Sequence, residues 1–189
     1  MQQNLPSEIE EVFRKNDTAE AVFLTLLPAL GEVLKCDRVF LYLRNPHTQI
    51  GKTAFCWRRS SEYPDATTSD WQKEPESLPD EDPLFAAALH TKPSVFVEDV
   101  ETANPTVMNK DFEHQNFGHR ALIHAHLCDK NLLWGVLQPA IFGKPRTWTE
   151  FDHFVIDEVT KKITPLAIDY VESESRSPTS SKSRGSIDS

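Results

Sequence analysis

The chain has 189 residues, 39% hydrophobic and 10% aromatic, with a formal net charge of −9. That is enough apolar material for one packed domain and too little length for two, which excludes wholesale disorder. The acidic balance repels phosphate backbones and anionic lipid surfaces, so nucleic acid is not an expected partner.

Residues 1–16 read as an N-terminal extension and 17–171 as the domain. Across 17–35, Val22, Phe23, Leu26, Leu27 and Leu30 recur at three-and-four spacing. This predicts an amphipathic helix, capped by Asp17 with Glu20 and kinked at Pro28. Residues 37–44 are rich in β-branched and aromatic types and read as a strand, with 52–58 as its antiparallel partner beyond the turn signal Asn45-Pro46-His47. From Ser60 to Asp82 the chain holds eight acids against one base, Lys73. A connection this long covers a site or stays mobile. With Trp71 exposed in its middle, it reads equally as a lid or docking surface and as a solvated link.

A short helix over 83–90, a short strand over 94–98 and a polar helical segment over 108–117 follow. Two hydrophobic strands, 120–128 and 131–141, are joined at Asp129-Lys130. Thr149 with Asp152 caps the last helix, whose stripe includes Phe151, Phe154, Val155, Val159 and Ile163; Pro165 predicts a second kink. Eight of the last eighteen residues are serine, so 172–189 reads as a disordered tail. This order predicts an α+β fold. An antiparallel sheet carries long helices on one face, and short helices and loops cover a small-molecule pocket on the other.

Asp37-Arg38-Val39 with Tyr42, Asp82-Pro83 with Phe85, Arg120-Ala121, Leu133-Trp134-Gly135 and Pro145-Arg146 with Trp148 occur in this order. Together they resemble the bilin-binding GAF domains of phytochromes and cyanobacteriochromes over roughly residues 18–170. The resemblance implies a GAF-like sheet, and it also places the chromophore chemistry. The attachment Cys-His pair of that family falls at Asn109 and Lys110, a second cysteine found in some members at Leu84, and a pocket histidine at Ala140. Asparagine offers no thiolate, so no covalent bilin is expected.

Side chains alternate along a strand, so Leu122, His124, His126 and Cys128 share a face. In the resembled family that face points into the pocket, and by the same alternation so would Val136, Gln138 and Tyr42. Tyr42, His124, His126 and Gln138 are therefore the candidate ligand-binding residues, suited to a small anionic or polar ligand. His124, His126 and Cys128 also have the shape of a metal or redox site. No further ligand sits at a fixed spacing, so polar lining is the preferred reading and no metal residue is assigned. Cys36, Cys56 and Cys128 form no C-x-x-C pair and read as small buried thiols of a reduced chain. No Ser/His/Asp triad, phosphate loop or paired-carboxylate pattern is present, so no catalytic residue is named.

The implied function is a non-catalytic, free-standing sensory or regulatory domain binding a small molecule or a protein partner. A homodimer through the first and last helices is expected, with Ile156 outside the main stripe, and a setting near light signalling or tetrapyrrole handling. An assembly factor with a filled pocket, or a redox or metal enzyme using His124, His126 and Cys128, are the alternatives. No leader or membrane-length apolar run is seen, which favours the cytoplasm.

Overall fold

The computed structural model describes residues 2–176. Helices α1 (Ser7–Lys15) and α2 (Ala19–Val33) lead into strands β1 (Arg38–Asn45) and β2 (Ile50–Arg58). Next come β3 (Gln72–Lys73), α3 (Leu78–Glu81), α4 (Pro83–Leu89), β4 (Val95–Val97) and α5 (Lys110–Asn116). Strands β5 (Ala121–Asp129) and β6 (Leu132–Ile141) precede the long α6 (Glu150–Arg176). The strands form one sheet in the order β3-β2-β1-β6-β5-β4, and every pairing is antiparallel.

Alternation divides this sheet into two chemistries. Val39, Leu41 and Leu43 of β1, Ile123, Ala125 and Leu127 of β5, and Trp134 and Leu137 of β6 face the long helices. There they meet Phe23, Leu26 and Leu30 of α2 and Val155, Val159 and Ile163 of α6 in one core. The opposite face carries Tyr42, His124, Val136 and Gln138 beneath α4 and α5. Gly135 pairs with Leu43 across β1 and β6, and a Cβ there would lie 2.5 Å from the Tyr42 carbonyl oxygen.

Several expectations are corrected. Helix α2 is capped by Thr18, whose side chain accepts from the Ala21 N–H, not by Asp17. The 1–16 segment contains a helix, α1, whose Ile9 and Val12, about one helical turn apart, enter the main core together with Leu5 just before it. Phe151 is 39% exposed, whereas Ile156, expected outside the stripe, is fully buried. Trp71 is half-buried and packed against the helix-side core rather than exposed. The predicted tail begins too early, since α6 continues through Arg176; the remainder of that expectation, 177–189, lies outside the described residues. Among the described residues, no helix is long and apolar enough to cross a membrane.

Candidate functional site

A cavity of about 260 Å³ opens between the sheet and the α4–α5 layer. Its floor is Phe40 and Tyr42 of β1, His124 of β5, and Val136 and Gln138 of β6. Phe85 of α4, Phe112 and Glu113 of α5, and Phe117 cover it. The acidic connection supplies the third side: the segment from Thr68 to Pro75 forms the rim, with β3 paired to β2 through Ile50–Lys73 and Gly51–Gln72. The 60–82 segment is thus a strap over the mouth rather than a free loop.

An ion pair fastens this strap. Glu74 accepts from Arg44 Nη2 at 2.6 Å and Nε at 2.9 Å, and from the Tyr42 hydroxyl at 2.6 Å. Arg44 also donates to the Leu133 carbonyl at 2.9 Å. Both charged groups are nearly sealed from solvent, with side chains 4% and 8% exposed. Satisfaction from several sides makes such a buried pair tolerable. Burial and the neighbouring Glu74 carboxylate push the Tyr42 phenol far above its usual range, so it acts as a fixed donor. Gly51 has no side chain because a Cβ there would overlap the Tyr42 hydroxyl.

The two strand histidines have distinct places. His126 Nδ1 lies 2.7 Å from the Lys92 carbonyl, which can only accept, so Nδ1 carries the proton. His126 Nε2 is then the acceptor for His124 Nδ1–H at 2.8 Å. This relay leaves the His124 Nε2 lone pair without a protein donor among the described residues, in a ring that forms part of the cavity wall. Burial holds both imidazoles below the usual histidine range and therefore neutral, His124 most strongly, with His126 adding to that effect. Tyr42, His124 and Gln138 line the cavity; His126 does not, and instead stands behind His124 and fixes its tautomer.

A second buried network was not expected. Arg38 Nη2 meets His119 Nε2 at 2.6 Å, so the His119 proton resides on Nδ1. Nδ1 lies 2.7 Å from Glu113 Oε1, but this approach lacks hydrogen-bond alignment and leaves that buried oxygen without a well-aimed donor. Burial keeps His119 below the histidine range despite the nearby carboxylate. Asp82 caps α4 by accepting from the Leu84 N–H at 3.1 Å, and burial raises its pKa to about 6. Asp82 and Glu113, 9% and 2% exposed, both line the cavity, and among the described residues neither has a lysine or arginine within ion-pairing distance. The wall therefore presents carboxylates and a lone pair. This departs from a site suited to anions.

Asn109, Leu84 and Ala140, three of the positions that the resemblance links to chromophore chemistry, have structural tasks. Asn109 caps α5 by accepting from the Phe112 N–H and donates to the Glu81 carbonyl at 2.9 Å. Leu84 and Ala140 pack with Met108 and Leu122 in a buried apolar cluster, of which Leu84 reaches the cavity lining. Burial pushes the Cys36 thiol up to about 12 and raises Cys56 and Cys128 as well, leaving no activated thiolate. Among the described residues, no three metal-ligating side chains converge, and the two histidines spend facing nitrogens on each other.

Residues 18–158 match the family profile described as the GAF domain. No curated protein matches in sequence. Among solved structures, the chain is similar to a protein in its far-red absorbing dark state with bound biliverdin IXa, at 15% identity and a TM-score of 0.67, covering 88% of this chain and 99% of that one. The blue-light absorbing form of the Thermosynechococcus elongatus PixJ GAF domain aligns at 18% identity and 0.61, covering 87% and 92%. The GAF domain of an Acinetobacter phosphoenolpyruvate-protein phosphotransferase aligns at 9% and 0.64, covering 89% and 95%. At these identities the likeness speaks for the fold alone.

Proposed function

The chain belongs to the GAF domain family, and from that premise we propose that it is a non-catalytic ligand-sensing domain whose receptor site is the cavity beneath α4 and α5. The observation that carries this reading is the His124 Nε2 lone pair, held bare in a cavity wall by a relay ending on the Lys92 carbonyl. The His124 ring lines the cavity, so a guest's N–H or O–H can complete an acceptor that no protein donor meets among the described residues. The volume, about 260 Å³, lies at the small end of ligand pockets and suits a compact molecule. A thioether-linked bilin has no thiol to join at Asn109. The biliverdin bound by one structural relative keeps light signalling or tetrapyrrole handling as the setting of the reading.

Raised thiol pKa values and neutral, mutually bonded histidines support a sensor over a redox or metal enzyme. A homodimer through the long helices belongs to the same reading. Leu24, 58% exposed on α2, and Phe151, 39% exposed on α6, are apolar residues available to it, and the buried Ile156 is not. The test is native mass spectrometry of protein purified from its own host, beside a Val136→Trp variant that fills the cavity. A non-covalent small-molecule adduct on the wild type, lost in the variant, is the expected result. Protein that arrives bare, or carries the same adduct in both forms, contradicts the reading.

A further inference from the structure

Four carboxylates belong to the cavity lining, and they are not equivalent. Asp70 is exposed at the rim, and Glu74 is neutralised by Arg44. Asp82 and Glu113 are buried, and among the described residues neither has an arginine or lysine within ion-pairing distance. Asp82 has only backbone N–H groups of α4, and Glu113 only the neutral His119. A buried carboxylate without a counter-charge is costly, since desolvation is not offset by a partner.

The two lysines in the lining do not supply that charge. Lys73 Nζ donates to the Thr48 carbonyl at 3.0 Å. Lys52 pairs across the sheet with Leu43, and directly paired residues share a face, so the Lys52 side chain projects with Leu43 towards the helix side and away from the cavity. Aromatic rings share the lining with these acceptors. Phe40 and Phe117 stack at 5.9 Å between centroids, with Phe112 6.3 Å from Phe117; Arg38 lies over Phe40 at 5.4 Å and Arg44 over Phe85 at 5.8 Å, which leaves Phe112 and Phe117 for a guest. Ring faces attract cations through their quadrupoles.

Resting on the receptor reading above, we propose that the cavity selects a small, flat organic cation of the amidine or aminated-heterocycle class, its N–H donors meeting Asp82, Glu113 and His124 Nε2 and its face lying against the phenylalanines. The guest supplies the charge missing from the wall, and His124, locked as an acceptor, discriminates for N–H over a carbonyl or carboxylate. Anions meet two carboxylates and a lone pair and are rejected.

Three probes of nearly identical shape test this: benzamidinium, neutral benzamide and benzoate, titrated into the full chain and followed by calorimetry and amide chemical shifts. Benzamidinium is expected to bind at least tenfold tighter than benzamide, with no detectable benzoate binding. Its affinity should rise as pH passes upward through about 6, where Asp82 ionises. Asp82→Asn retains a capping side chain, so the helix stays capped while the charge goes; benzamidinium should fall to the benzamide level in this variant and again in Glu113→Gln. Equal affinities for benzamidinium and benzamide, or benzoate binding as tightly as either, overturn the cation inference and leave the receptor reading standing. Failure of all three probes, with shifts unchanged throughout the cavity lining, overturns both.

Discussion

Asp82 couples the site to pH in a direction that can be worked out. Burial raises its pKa to about 6, so between pH 4 and 6 the folded chain holds this proton more tightly than the unfolded one does. The stabilisation from that proton is fully present below the unfolded carboxylate pKa of about 3.9 and is lost as pH rises through about 6. Asp82→Asn removes the titration while keeping the cap on α4. Urea unfolding should therefore find the variant more stable than wild type at pH 7, by on the order of 1–3 kcal/mol, with the gap closing towards pH 4. A constant difference across that range would mean that folding does not raise the Asp82 pKa. At this scale the sequence was partly legible. Period-two alternation places His124 and Gln138 on the cavity face, and it also places Arg44 beside Tyr42, a signal that went unused. Glu74 carries no local mark among eight acids, and only the pairing of β3 with β2 brings it to Arg44. His119 enters from a turn after Gly118, whose φ of +73° breaks the alternation, so strand logic cannot place it.

Elements were read more readily than contacts because their periodicities and caps are local. Thr149 and Asp152 form a reciprocal box: Asp152 N–H donates to Thr149 Oγ1 at 3.2 Å, and Thr149 N–H to Asp152 Oδ2 at 2.9 Å. Arg146 adds a contact to Asp152 at 3.2 Å and donates to the Leu34 carbonyl at 2.8 Å, tying α6 to the end of α2. Thr149→Ala should cost about 1 kcal/mol by denaturant unfolding, and hydrogen exchange should quicken in the first turn of α6 while its centre stays protected. Loss of protection along the whole helix would show that the cap has a wider role than holding its end. Helix α2 illustrates the limit of such reading. Asp17 and Thr18 are both good caps, and the choice of Thr18 depends on the backbone path out of α1.

For the whole molecule, the sheet separates stability from recognition. Long helices cover one face with an apolar core, and the other holds buried charge, lone pairs and a void. The first sixteen residues belong to the stabilising side. Ile9 is fully buried and Leu5 and Val12 nearly so, and burying side chains of this kind contributes about 1.5–3 kcal/mol each. Deleting residues 1–16 should lower the unfolding midpoint substantially without altering benzamidinium affinity in the fraction that stays folded; an unchanged midpoint would show that α1 only rests on the domain. A short amphipathic helix before the domain is hard to separate from a linker in sequence, because three apolar positions match many patterns. The cavity was harder still, since its volume depends on how the 60–82 strap closes over β1 and β2. The most direct test of the central claim is a crystal structure of the chain purified from its own host, read at the cavity. Compact density against His124 Nε2 and Asp82, with no bond to protein, is the result expected. Density continuous with a cysteine sulfur, or a cavity closed by its own phenylalanines, would contradict it.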